Sequence, residues 1–197
     1  MDLKKYLHTE FARKNGQRSP IRLKHLSREY IPELLAKFGA KKGAEVGVAE
    51  GHFSELLCQK IPELELICVD LWQEGDDKKS KEKGQKAHEY SYEQSKKKLA
   101  PFNATLIKGN STDVVREVPL ESLDFVYIDA CHEFDYVIED IVEWSKRVKK
   151  GGLVAGHDYY HFRNAGVIEA VDTYSRAHGI DEVFLTNEIA ASWFWCK

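Results

Sequence analysis

Short apolar segments recur along this chain, and stretches with helical periodicity lie between most of them. Five segments are nearly continuous apolar runs bounded by glycine, proline or polar residues, which predicts buried parallel strands over 44–48, 64–69, 104–108, 123–128 and 153–156. Two further strands are predicted over 182–185 and 192–197, and the short stretch TNEIAA between them indicates an antiparallel hairpin.

The segments between the strands predict helices. The clearest covers 134–148, where apolar residues recur every three or four positions, and the glycine pair at 151–152 is expected to end it. Strands alternating with helices predict an α/β domain whose seven-stranded sheet is doubly wound and mostly parallel, with a C-terminal antiparallel hairpin. We expect this domain to cover 31–197, preceded by a helical N-terminal extension over 1–30.

Composition narrows the class of protein. The 197 residues are 43% hydrophobic and 31% charged, which is typical of a globular protein, and a net charge of -3 gives no indication of a nucleic-acid or membrane partner. The four cysteines form no CxxC pair, so we expect reduced thiols. With no apolar N-terminal segment typical of a signal peptide, the expected location is the cytoplasm.

Polar residues follow all five of the predicted parallel strands. Open α/β sheets bind ligands beyond the carboxyl ends of their strands, so these residues are expected to share one site. They are Glu45 to Gly47, Asp70, Asn110 with Ser111, Asp129, and His157 with Asp158.

The turn EVGVAEG after the first strand argues against two nucleotide classes. Ala49 stands where a dinucleotide fingerprint has its second glycine, and no Gly-Lys-Ser/Thr of a P-loop follows. The glycines at Gly47 and Gly51 suit a ligand with adenosine but no phosphate. Glu45 would repel a phosphate and attract an ammonium group, and Asp70 is placed to accept the hydroxyls of a ribose.

From residue 31 to the C-terminus, the chain resembles the class I S-adenosylmethionine-dependent methyltransferases, which have a Rossmann-like fold. The features that carry this resemblance are the E-x-G-x-x-x-G turn, the acid at position 70, the GNS turn at 109–111 and the terminal hairpin. The resemblance implies S-adenosylmethionine as cofactor. It places Gly47 and Gly51 at the methionine and ribose, Glu45 at the amino end, Asp70 at the ribose, Asn110 and Ser111 by the adenine, and Asp129 in the same cofactor-binding set.

The block from 128 to 160 resembles the branch with the small-molecule O-methyltransferases, of the catechol type and of antibiotics and their sugars. The resemblance implies a divalent cation held by Asp129, His157 and Asp158. His157 departs from the branch, which often has a carboxylate there. Mg²⁺ prefers oxygen ligands, whereas a histidine also suits Mn²⁺ or Fe²⁺, so the need for a metal stays open.

Methyl transfer to oxygen requires SN2 alignment and removal of a proton from the acceptor. A bound cation can lower the pKa of that hydroxyl, or a neutral histidine can act as general base. His132, three residues after Asp129, is the first choice for the base and His157 the second. The alternative for His132 is to cap the helix that follows it.

Several alternatives remain at this point. The expected function is transfer of a methyl group to an oxygen of a small molecule, and the competing functions are a nucleotide-binding oxidoreductase and a cofactor-binding protein without catalysis. Segment 74–98, with eight lysines and six acids, is either a solvated lead into a helix over 88–99 or a lid over the acceptor. A homodimer is the expected assembly.

Overall fold

The computed structural model describes residues 3–11, 18–73, 81–162 and 165–197. Eight strands of these residues form one sheet. They are β1 (Ile21–Arg22), β2 (Lys42–Val46), β3 (Glu65–Asp70), β4 (Ala104–Lys108), β5 (Leu123–Ile128), β6 (Val148–Tyr159), β7 (Phe184–Leu185) and β8 (Ala191–Cys196).

Helices connect these strands. They are α1 (Leu3–Glu10), α2 (Ile31–Lys37), α3 (His52–Lys60), α4 (Lys81–Leu99), α5 (Ser111–Val114), α6 (Phe134–Ser145) and α7 (Val167–Ala177), with 3₁₀ turns at Arg28–Tyr30 and Val115–Glu117. Among the described residues, no helix combines the length and the apolar character that crossing a membrane requires.

The strand order is β1-β7-β8-β6-β5-β2-β3-β4. β2 pairs in parallel with β3 on one side and with β5 on the other, so the chain reverses its direction of winding at β2. β8 lies antiparallel between β6 and β7. These pairings confirm the doubly wound, mostly parallel fold and the terminal hairpin. The sheet has one strand more than the predicted seven, namely β1.

Two hydrophobic clusters cover the two faces of the sheet. In β5, Phe125 and Tyr127 belong to the cluster that includes residues of α1 to α4. Val126 and Ile128 belong to the other cluster, with residues of α6 and α7. Successive side chains of a strand point to opposite faces, so one apolar run in β5 serves both clusters. A strand buried on both faces holds the residue that follows it, Asp129, in a fixed position.

The N-terminal residues join this fold. α1 agrees with the predicted helical extension, but β1 is a strand, because the backbone of β7 offers it partners. The N–H of Ile21 donates to Val183 O at 2.7 Å, and the N–H of Leu23 donates to Leu185 O at 2.8 Å. Leu23 is fully buried in the first cluster. The domain boundary at residue 30 stays a prediction.

Predicted boundaries of α6, β6 and α4 are wrong. α6 ends at Ser145 rather than at 148, and β6 begins at Val148, which pairs with Leu123. Gly151 lies within β6 at φ +80°, with its N–H donating to Lys197 O, so the glycine pair is part of an irregular strand rather than the end of a helix. α4 begins at Lys81, seven positions before the predicted start. Part of the proposed lid, 74–80, lies outside the described residues.

Candidate functional site

A cavity of about 520 Å³ opens at the carboxyl ends of β2, β5 and β6. This is the edge at which the direction of winding reverses, where open α/β sheets bind ligands. Its lining comes from β2 and the turn after it, the start of α3, the residues at and after the ends of β5 and β6, and the segment before α2. The lining residues are Arg28, Glu45, Gly47, Val48, Ala49, Glu50, His52, Phe53, Asp129, His132, His157 and Asp158.

The turn after β2 lies against the end of β5. Gly47 has φ +90°, and a Cβ there would lie 2.1 Å from the carbonyl oxygen of Asp129. Gly51 precedes α3 at φ +78°, and a Cβ there would lie 3.1 Å from Cα of Ser95 in α4. Only a glycine fits both the conformation and the space at position 47. Gly51 instead allows α3 to pack against α4, and it is not part of the cavity lining.

Asp70, at the end of β3, holds the same turn. Its Oδ2 accepts the N–H groups of Val48 and Ala49, both at 2.8 Å, and its Oδ1 accepts the N–H of Trp72 at 2.9 Å. A carboxylate has about four lone-pair sites, so these bonds leave room for one further donor rather than two. The structure therefore gives Asp70 a turn-forming role, and its contact with a ribose stays a prediction.

Glu45 lies in β2 below the turn and is 1% exposed. Its carboxyl group accepts a hydrogen bond from the hydroxyl of Ser54. Burial raises the pKa of Glu45 to about 8, although the bond from Ser54 opposes the shift. At neutral pH the cavity therefore contains a carboxyl group that is mostly protonated, and a nearby positive charge would ionise it.

Asn110 and Ser111, predicted to lie by an adenine, begin α5. Asn110 is the N-cap of this helix, and its Oδ1 accepts the N–H of Thr112 at 3.0 Å. The hydroxyl of Ser111 donates to Asp140, which is buried in α6 and has its pKa raised to about 6 by burial. Neither residue is part of the cavity lining, so their contact with an adenine stays a prediction.

Two carboxylates and two histidines meet at the ends of β5 and β6. Nε2 of His132 lies 2.8 Å from Oδ2 of Asp158. Nδ1 of His157 lies 3.2 Å from Oδ1 of Asp158 and 3.8 Å from Oδ1 of Asp129. The structure therefore brings all four predicted residues together in one cavity. The capping alternative for His132 is wrong, because Glu133 is the N-cap of α6 and accepts no side-chain cap bond.

The proximity of these groups shifts their pKa values. Asp158 raises the pKa of His132, although burial would lower it. Burial alone would raise the pKa of Asp158, but His132 and His157 outweigh it and hold that pKa well below its usual range. Burial raises the pKa of Asp129, although the charge of Arg28 opposes the shift. His132 is thus expected to carry its charge at a higher pH than a free histidine does.

Three of these residues lie close enough together to hold a metal ion. One ligand atom each from Asp129, His132 and Asp158 lies within 4.8 Å of the others. The predicted set contained His157 in place of His132, and His157 lies beside the three. Two carboxylates and an imidazole suit a divalent cation such as Mn²⁺. These donors therefore fit the predicted cation by type.

Sequence reasoning missed Arg28. Its Nη2 donates to Oδ2 of Asp129 at 2.7 Å, and its guanidinium group lies 4.6 Å from the ring centre of Phe53. No signal in the sequence indicates this contact, because Arg28 and Asp129 are 101 positions apart in the chain. Among the aromatic residues at and after the end of β6, the rings of Tyr160 and Phe162 stack at 4.7 Å, whereas the hydroxyl of Tyr159 donates to Asp172.

The chain is similar to one family of known proteins. The model of a family described as "Methyltransferase domain" matches residues 44–159, more than half of the chain. No curated protein sequence matches it.

Solved structures with a similar fold include the O-methyltransferase NovP, at TM-score 0.64 and 15% identity over 86% of this chain and 79% of NovP. An O-methyltransferase from Bacillus cereus in complex with SAH gives TM-score 0.63 and 13% identity over 86% of this chain and 80% of that one. A protein described as a candidate rRNA-methylase from Clostridium thermocellum gives TM-score 0.62 and 13% identity over 86% and 94%.

Because Gly47 lies so close to Asp129, a larger residue at position 47 is expected to lower the free energy of unfolding. We expect Gly47→Ala to destabilise the protein by about 2 kcal/mol more than Gly39→Ala, because it adds an overpacked contact to the cost of a positive φ. Gly39 is the matched control, because it has φ +76° and a Cβ there would meet nothing within 4 Å. Urea unfolding of the two variants measures the difference. Equal losses of stability would show that the turn yields to a methyl group.

Proposed function

We propose that this chain, which belongs to the methyltransferase-domain family, transfers a methyl group from S-adenosylmethionine to an oxygen of a small molecule. The observation that carries the proposal is the meeting of Asp129, His132 and Asp158 at one wall of a cavity whose other wall is the glycine turn. A protein that only binds the cofactor has no need of a histidine and two carboxylates at that place.

The cofactor is proposed from the turn side of the cavity. Glu45 and Gly47 line it, and the carboxyl group of Glu45 suits the ammonium group of a methionine. The turn contains no lysine and lacks the second glycine of a dinucleotide site, which favours adenosine over a pyrophosphate ligand. The B. cereus relative in fold was solved with SAH, the demethylated cofactor.

A small-molecule acceptor is proposed from the charge of the cavity. Among the described residues, its lining contains four acids, Glu45, Glu50, Asp129 and Asp158, against a single arginine and no lysine. A nucleic acid needs lysine and arginine for its phosphates, so this lining favours a small molecule. Two of the similar folds are O-methyltransferases by name, and the third is the candidate rRNA-methylase.

The proposed mechanism is an in-line SN2 transfer. The acceptor oxygen forms its bond to the methyl carbon as the carbon–sulfur bond breaks, and the sulfonium becomes a neutral sulfide. Nε2 of His132 lies 2.8 Å from Oδ2 of Asp158, a contact that favours a proton on Nε2, so Nδ1 is the proposed nitrogen that takes the acceptor proton. His157, held by the same Asp158, is the second candidate for this role.

A divalent cation is the second way to activate the acceptor. Asp129, His132 and Asp158 would hold it, with His157 beside them. When bound, it would lower the pKa of the acceptor hydroxyl and orient its oxygen. The homodimer and the cytoplasmic location remain predictions. The oxidoreductase alternative has no support from the described residues, since the turn keeps Ala49 at the place of the pyrophosphate glycine.

Binding of SAH tests the proposed cofactor. We expect the protein to bind SAH in calorimetry, and Asp70→Asn to weaken binding at least tenfold, because the amide cannot accept all the hydrogen bonds that order the turn. Asp113→Asn is the matched control, since Asp113 has a side chain that is 72% exposed. No binding at millimolar SAH would overturn the cofactor proposal.

The raised pKa of Glu45 predicts a pH dependence of SAH binding. Below about pH 8 the ligand-free carboxyl group is mostly protonated, and an ammonium group beside it favours ionisation, so binding releases a proton. Affinity should therefore rise between about pH 6 and 7.5, where the ammonium of the ligand stays charged. Glu45→Gln should flatten this rise. The same slope in both proteins would show that another group releases the proton.

The proposed base predicts how methyl transfer responds to mutation and pH. With labelled S-adenosylmethionine and a panel of phenols and sugars, we expect His132→Ala to slow transfer about 100-fold or more. His52→Ala is the control, because His52 lines the same cavity but is 72% exposed. Since Asp158 raises the pKa of His132, Asp158→Asn should shift the acidic limb of the rate profile to lower pH. An unshifted limb would exclude His132 as the base.

A further inference from the structure

Arg28 reaches the cavity from a part of the chain that precedes the matched methyltransferase region. It begins the 3₁₀ turn at Arg28–Tyr30, directly before α2. Its Nη2 lies 2.7 Å from Oδ2 of Asp129, and the two side chains are 25% and 17% exposed. The pair therefore lies at the rim of the candidate cation cluster, where solvent screens it only in part.

The segment that carries Arg28 is fastened to the turn between β7 and β8. The backbone N–H of Arg28 donates to Oε1 of Glu188. Nη1 of Arg22 donates to the carbonyl oxygen of Glu188 at 2.7 Å, and the N–H of Asn187 donates to Leu26 O at 2.9 Å. These bonds join Arg28 and the residues before it to the same turn, so the backbone cannot withdraw the side chain without breaking several of them.

Aromatic rings fix the guanidinium group itself. It lies 4.6 Å from the ring centre of Phe53 and 5.3 Å from that of Tyr127. Both rings are buried, Phe53 at 7% and Tyr127 at 1% exposure. A guanidinium group over aromatic faces keeps its charge and gains attraction from the rings. Arg28 is thus a fixed positive charge at one of the three candidate cation ligands.

We propose that Arg28 is a built-in counter-ion that competes with a divalent cation for Asp129. The inference rests on the proposed function only in taking this cluster as the acceptor side of the site. A cation bound to Asp129 would lie close to the guanidinium group, and like charges at that distance in a half-buried place repel strongly. The cation therefore binds weakly while Arg28 stays in place. The positive charge facing the acceptor then comes from Arg28.

Binding of Mn²⁺ tests this competition without the need for an acceptor. Calorimetry on the full chain should give weak binding to the native protein and at least tenfold tighter binding to Arg28→Gln, which removes the charge. Arg28→Met should gain to a similar extent, and its straight apolar side chain retains contact with Phe53 and Tyr127. Arg28→Lys, which keeps a positive charge, should stay near the native affinity.

Three controls separate the outcomes. Arg116→Gln removes an arginine whose side chain is 72% exposed and should leave Mn²⁺ affinity unchanged. Adding Asp129→Asn to Arg28→Gln should abolish the gained affinity. Thermal melts identify which of Arg28→Gln and Arg28→Met remains folded. The Mn²⁺ affinity of either folded variant then tests the competition. Equal Mn²⁺ affinity in the native protein and in a folded charge-removing variant would overturn the proposal. Failure of the native protein to bind SAH would instead count against the proposed function.

Discussion

The close contact between the turn after β2 and the end of β5 is the constraint on which the site depends. β2 pairs with β3 on one side and with β5 on the other, so its carboxyl end lies where the winding reverses. At that point Gly47 lies so near the backbone of Asp129 that a single methyl group would collide with it. This contact fixes the distance between the turn wall of the cavity and the wall formed by Asp129 and His132.

Charge balance explains how so many acids share one cavity. Glu45 is deeply buried and has its pKa raised, so it is mostly neutral until a positive group arrives. Asp129 is balanced by Arg28, and Asp158 by His132. The two walls of the cavity therefore differ. The wall at Glu45 has a carboxyl group that suits a cation such as an ammonium group. At the other wall, Asp129 and Asp158 already lie beside Arg28 and His132.

The sequence predicts the fold well because the sheet is buried on both faces. Apolar runs such as the one in β5 are then hard to mistake, and the polar residue after each run must lie at one edge of a parallel sheet. This reasoning correctly predicted that Asp129, His157 and Asp158 lie close together. It failed at the start of β6, because Val148 continues the helical spacing of α6 and the glycines at 151–152 resemble a helix end. Only the pairing of Val148 with Leu123 distinguishes the two.

The roles of residues are harder to predict from the sequence than their positions. Polar residues at strand ends have two uses, since they order their own turns as well as bind ligands. Asp70 and Asn110 already accept backbone N–H groups, so any contribution to ligand affinity comes in part through a turn that is formed before binding. Arg28 is the opposite case, a residue with no local signal whose role arises from contacts between distant parts of the chain. Its partner Asp129 is 101 positions away, and Glu188 is 160. Local patterns therefore identify the residues of both walls that lie at strand ends, whereas Arg28 reaches Asp129 only through contacts between distant parts of the chain.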